Sequence, residues 1–376
     1  MSPVRPRFAA WAFALCTTAL VGCGDSTGPG AGNLSDPAAL SADMQSLQTP
    51  FDAPVLESFD IVALSSAGTP TARLVSFMSA MSPRGKVPAA GTTPEYRQGA
   101  VFRALRPSLA ARPSFAVLPA EALGAVYEWN LGTQQYVEGA AVGPANGVRF
   151  LLYAINPLTN LPSDPLDQVG YADFLDESDG ATNRLRVRVV GDDAVTYADY
   201  VVSGTAGSTV AATAAGFLTN GTRRLDFTAA LTASDSEISL DYALQLDQPA
   251  VSAQLAIELS FNGESALIQH TFSITRGSET VVLDGTLALV SSGETFTMTA
   301  SFTVDVNGGR FATISGSSAS GTAVSYTMTG PGGRALTAAE REAVQRLFEA
   351  PSELDELITL LFDPLDEIFG AYGTSG

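Results

Sequence analysis

The stretch Thr295-Phe296-Thr297-Met298-Thr299-Ala300-Ser301-Phe302-Thr303-Val304-Asp305-Val306 decides the fold class. Every second residue is apolar, and all the residues between are Thr, Ser or Asp. A period of two sends successive side chains to opposite faces of a pleated strand, so one face is buried and the other meets water. The alternation recurs in Leu225-Phe227-Ala229-Leu231, Ile238-Leu240-Tyr242-Leu244-Leu246 and Leu255-Ile257-Leu259-Phe261. It returns in Ile268-His270-Phe272-Ile274, in Val281-Leu283 with Leu287-Leu289, and in Val324-Tyr326-Met328.

Asn220-Gly221, Asn262-Gly263 and Asn307-Gly308-Gly309 fall between these runs. Asn and Gly accept the positive φ angles of tight hairpins, so successive strands should be antiparallel neighbours. Earlier, Tyr127–Leu131 and Tyr136-Val137 flank Gly132-Thr133-Gln134 as a hairpin, and Val148–Ile155 reads as one strand. About fifteen strands between residues 125 and 330 follow from these patterns. The fold class is mainly β: a large antiparallel meander forming a curved sheet or incomplete barrel, with amphipathic helices at both ends packed on its apolar face. An outer-membrane barrel also alternates. The chain has no aromatic girdles, and its terminal helix needs an apolar partner, so the soluble curved sheet is preferred.

Before the strands, Ser35-Asp36-Pro37 starts a helix that puts Leu40, Met44 and Leu47 on one face, with proline near the first turn. Short helices are predicted around Val55, Leu56 and Phe59, and over 72–81. Five prolines make 82–117 an irregular connection with one strand over 100–105. After the strands, Thr337-Ala338-Ala339-Glu340 is a capping box, and Ala343, Val344, Leu347 and Phe348 share a face. A second helix beyond Pro351 carries Leu354, Leu357, Ile358, Leu361 and Phe362, with acids opposite. Such one-sidedness requires a buried stripe.

The N-terminus carries the most specific signal. Arg5 and Arg7 precede an apolar run from Phe8 to Leu20, too short for a membrane span. It ends in Leu20-Val21-Gly22-Cys23, which resembles the lipobox of bacterial lipoproteins. The resemblance implies diacylglyceryl transfer to the Cys23 thiol, cleavage before Cys23 and acylation of the new N-terminus. The resulting anchor holds the protein at the cell envelope facing the periplasm, with a lean toward the outer membrane. The mature chain would then have no free thiol, because Cys16 leaves with the signal. The organisation reads as a signal peptide over 1–22, a Gly/Ser/Pro tether over 23–35 and a helical and irregular segment over 36–117. A β domain over 118–335 and C-terminal helices over 336–376 complete it.

Composition excludes several functions. The 376 residues carry a net charge of −19. Of the 20 basic residues, Arg5 and Arg7 go with the signal, leaving 18 against 39 acids, or −21. That balance argues against nucleic acid, which needs clustered cations. Hydrophobic content is 45% with a mean hydropathy of +0.17, much of it Ala and Val in strands.

Candidate site residues are few. His270, the only histidine, falls by phase on the buried face, as a hydrogen-bonded core residue. Catalysis would need a nucleophile and an orienting acid beside it. The one G-x-S-x-G, Gly24-Asp25-Ser26-Thr27-Gly28, falls in the Gly/Ser/Pro tether, and Lys86 lacks a serine three places before it. Histidine-based zinc is excluded for want of ligands, and no cofactor is expected. Asp173, Asp176, Glu177, Asp179 and Gly180, with Asp192 and Asp193, fit no calcium-loop spacing and read as solvated acids. Arg184, Arg186 and Arg188 share one strand face. They could meet phosphate or carboxylate headgroups, or keep the strand from pairing with other molecules.

Two functions follow from these features. One is a lipid-anchored module holding an acyl chain or other apolar ligand, with Arg184, Arg186, Arg188 and His270 as candidate contacts. Its architecture resembles that of periplasmic lipoprotein carriers with half-barrel folds. The other is a structural or assembly lipoprotein with a filled core that contacts envelope proteins. Enzymatic activity is not expected. Beneath the C-terminal helix, an empty cavity would favour the first and a packed interior the second.

Overall fold

The computed structural model describes residues 32–64 and 118–354, the latter except 119, 121, 180–181, 206–209, 235, 263–264, 293–294, 320–324 and 352–353. The lipobox, the helix over 72–81, the strand over 100–105 and the end of the second C-terminal helix lie outside the described residues. The first two helices are α1, Pro37–Ser46, and α2, Pro54–Leu64. The strands are β1 Val126–Asn130, β2 Gln135–Glu138, β3 Gly147–Tyr153, β4 Ile155–Asn156, β5 Leu161–Pro162, β6 Gln168–Asp176, β7 Asn183–Gly191 and β8 Thr196–Thr205. They continue with β9 Val210–Thr219, β10 Arg224–Ala233, β11 Glu237–Leu246, β12 Val251–Asn262, β13 Ser265–Arg276, β14 Glu279–Ser292, β15 Thr295–Val306, β16 Gly309–Ala319 and β17 Ser325–Thr329. A final helix, α3, covers 338–351.

Fifteen strands form one open sheet in the order β17 to β6, then β3, β1 and β2. From β6 to β17 each strand pairs antiparallel with the next, as the turn spacing predicts. Asn307 at φ 51 and Gly308 at φ 80 make the turn between β15 and β16. Positive φ at both central residues gives the backbone twist that suits a two-residue hairpin.

Two departures from sequence expectation occur at the β2 edge. β1 and β3 pair parallel, with Val126 opposite Arg149 and Tyr127 opposite Phe150. The β1–β2 hairpin leaves β2 outermost, so the chain must cross back to reach the free side of β1. Its path is set by Gly143, whose amide donates to the Gly124 carbonyl at 2.8 Å. A Cβ on Gly143 would stand 2.6 Å from the Ala125 carbonyl oxygen. The strand expected over 148–155 also ends at Tyr153, and Ile155-Asn156 pairs separately with Leu161-Pro162.

One face of the sheet is apolar and covered. Leu225, Leu240, Leu255, Phe272, Leu283, Met298 and Ile314 are each no more than 6% exposed and belong to one core. Burial of this apolar area supplies the main drive to fold. At one end α2 sets Phe59 against Phe174 at 5.9 Å, and Phe174 meets Phe150 edge-on at 5.6 Å. At the other end α3 sets Phe348 against Phe302 at 5.2 Å and Tyr326 at 5.1 Å. The α3 cap forms as its sequence predicts: the Thr337 amide donates to Glu340 Oε2 at 2.8 Å and the Glu340 amide to Thr337 Oγ1 at 3.3 Å. Pro351, expected to separate two helices, is itself helical, and Leu354 beyond it is helical and buried too.

Between α2 and α3 the segment over 32–64 runs like a strap past successive hairpin turns. The Gly32 amide donates to the Arg310 carbonyl at 3.0 Å. The Ser35 amide donates to Glu279 Oε2 at 3.0 Å. Asn220 Nδ2 donates to the Thr49 carbonyl at 3.0 Å, and the Tyr153 amide to Ser58 Oγ at 2.8 Å. The expected tether over 23–35 is therefore part of the body from Gly32 onward, with Leu34 buried. Among the described residues no helix is long and apolar enough to cross a membrane.

Candidate functional site

His270 lies on β13 opposite Ile257 of β12 and Gly285 of β14. Gly285 is in turn opposite Phe302 of β15. A Cβ on Gly285 would stand 2.5 Å from the Phe302 ring and 2.3 Å from the Ser301 carbonyl oxygen. Only a glycine lets the neighbouring strand come this close. The Phe302 ring leans over it to meet the imidazole edge-on at 6.0 Å. The same device recurs where Gly216 lies between Tyr200 and Phe227, whose rings approach to 5.8 Å. These two aromatic bridges were not read from the sequence. The signal was present, because Gly216 and Gly285 each fall at an inward phase of an apolar run.

The imidazole is partly buried, and its Nδ1 is fully buried with no hydrogen-bond partner among the described residues. The sequence predicts a hydrogen-bonded core histidine; instead the cross-strand neighbours of His270 are Ile257 and Gly285, with the Phe302 ring beyond them. Burial pushes the His270 pKa down to about 4, against smaller upward pulls from its own main chain and from Asp284. The ring is thus neutral at pH 7, and no nucleophile or orienting carboxylate is hydrogen-bonded to it among the described residues.

The arginine row lies elsewhere. β7 is six strands from β13 in the sheet order, a separation of about 29 Å along the sheet. Arg184, Arg186 and Arg188 project from the outer face while His270 projects inward, so the candidate contacts do not converge. Arg186 donates to both Asp199 oxygens at 2.7 Å and lies 3.6 Å from Glu177. Arg188 donates to Thr196 Oγ1 at 3.4 Å. The Arg184 side chain is exposed. Next to them Arg149 forks onto Asp173 at 2.6 and 2.8 Å, with its guanidinium 3.8 Å from the centre of the Tyr171 ring. Arg224 repeats the motif, 3.7 Å over Phe217 and paired with Asp226 at 2.7 Å. The Arg149–Asp173 and Arg186–Asp199 pairs join neighbouring strands and help to fix register on the wet face.

The acids considered for calcium are spent on local structure. Asp176 accepts from the Ser178 amide, and Asp179 from the Thr182 amide, each at 2.9 Å. Asp193 accepts from the Val195 amide and the Tyr197 hydroxyl. Asp192 and Asp193 sit at the far end of β7 from Asp176 and Asp179, about 30 Å away along nine strand residues. Among the described residues no group of His, Cys, Asp or Glu could hold a metal ion.

Cys23, the residue singled out for lipid attachment, lies outside the described residues. Its nearest described neighbour in the chain is Gly32, bonded to Arg310 at the β15–β16 turn. No family model matches the chain, and neither does any curated protein or solved structure compared with it.

Proposed function

We propose that the chain is an envelope lipoprotein, acylated at Cys23, whose filled β body has a structural or assembly role and offers its outer faces to envelope proteins. The observation that supports this is the closure of the inner face. Along β10–β15 Leu225, Tyr242, Leu255, Phe272, Leu283 and Met298 are each no more than 3% exposed, and Leu231 and Ile268 pack partly buried against them. Bulky rings fill the space over Gly216 and Gly285, and α3 seats Phe348 on Phe302. A face closed by its own side chains favours binding at the surfaces. Arg186, already paired with Asp199 and Glu177, serves the sheet more than a phosphate ligand.

A second reading, carriage of an acyl chain or other apolar ligand, draws on one observation. His270 Nδ1 is an unpartnered polar atom in an apolar wall, the kind of group that fixes a ligand's polar end. Native mass spectrometry of detergent-extracted protein separates the two. A structural lipoprotein retains only the lipid covalently bound at Cys23; a second, non-covalent lipid at one per chain overturns the structural reading. The Cys23→Ala variant should lose both the acyl mass and membrane association.

A further inference from the structure

The first described residue fixes where an anchor would attach. Gly32 is bonded to Arg310, and a Cβ on it would stand 2.2 Å from the Gly309 carbonyl oxygen. Leu34 is buried and the Ser35 amide donates to Glu279, so the chain enters the body at the turns of β13–β14 and β15–β16. Nine peptide units separate Cys23 from Gly32, and at the fully extended limit they reach about 32 Å whatever their conformation.

Hairpin turns alternate between the two ends of a meander. Those at 192–195, 220–223, 247–250, 277–278 and 307–308 share the end where Gly32 docks. The opposite ends of these strands, where β10 stops at Ala233, β12 at Asn262 and β14 at Ser292, lie at the other end. The strands between are long: β14 has 14 residues and its neighbours β13 and β15 have 12 each. The opposite ends are therefore about 40 Å farther along the strands.

We propose that the end of the sheet bearing the β13–β14 and β15–β16 turns faces the bilayer, with the opposite end of the strands directed away from it. This orientation rests on acylation of Cys23. The test uses the full acylated chain in vesicles of phosphatidylcholine and phosphatidylglycerol carrying a headgroup quencher. A fluorophore is placed at Ser278→Cys in one sample and at Ser236→Cys in another. Quenching at position 278 should exceed that at 236 several-fold. Equal quenching, or more at 236, on chains whose N-terminal peptide carries acyl mass overturns the orientation alone. An N-terminal peptide with unmodified Cys23 overturns the anchorage, and the orientation with it.

Discussion

Asp43 and Arg276 are 233 positions apart in the chain, yet Asp43 Oδ2 lies 3.3 Å from Arg276 Nη1. Arg276 also faces Glu279 Oε1 at 3.5 Å and donates to Ser35 Oγ at 3.3 Å. All three ionic side chains are no more than 20% exposed. Arg276→Ala would leave two poorly hydrated acids unpaired and should cost about 2–3 kcal/mol. Asp43→Ala leaves Glu279 in place and should cost about 1 kcal/mol. Urea midpoints read both losses, and a smaller loss in Arg276→Ala than in Asp43→Ala would contradict the arrangement.

His270 makes stability depend on pH with a definite sign. Its folded pKa, about 4, is below its ordinary 6.5, so the unfolded chain binds the proton first. The contribution is complete above about pH 6.5 and is lost as pH falls toward 4, by up to about 3 kcal/mol. Denaturant titrations of the parent chain and His270→Phe check this. The variant should lose most of the slope between pH 4 and 6.5; an unchanged slope would assign it to other groups.

Gly285→Ala should destabilise by about 1–3 kcal/mol through overpacking. The added methyl meets the Ser301 carbonyl and the Phe302 main chain, neither of which can rotate away. Near-ultraviolet circular dichroism should also change, because the Phe302 ring loses its place over the glycine. A neutral result would mean that the two strands can separate freely.

The outer face offers a contrast between two similar ion pairs. Asp173 has a side chain 8% exposed beneath Arg149, whereas Asp199 at 18% pairs with an Arg186 that is 41% exposed. Asp173→Ala should cost about 2–4 kcal/mol and Asp199→Ala less than about 1 kcal/mol. Thermal unfolding at low and high salt separates them, since only the Asp199 pair should weaken appreciably with salt.

Much of the sheet was legible because its faces differ so sharply. In β11, buried Ile238, Leu240, Tyr242, Leu244 and Leu246 alternate with more exposed neighbours, as a period of two requires. The Asn307-Gly308 turn and the Thr337–Glu340 cap were equally plain, because local geometry demands those residue types. Relations that depend on distant partners were not legible. Nothing near Asp43 or Arg276 announces their contact, and the parallel pairing of β1 with β3 turns on which side of a hairpin stays open. His270 was placed on the correct face, but its missing partner could not be foreseen, since satisfaction of Nδ1 depends on three strands at once.

The meander carries a consequence for how such a chain can change in length. From β7 to β16 every strand pairs within the sheet only with those before and after it in sequence, so a whole hairpin can be added or deleted without reversing any neighbour. Insertions or losses of two strands keep each surviving side chain on its own side and each surviving bend at its own end. The strap over 32–64 sets the limit, because it touches β16 and β3 alike and must be respaced whenever the width changes.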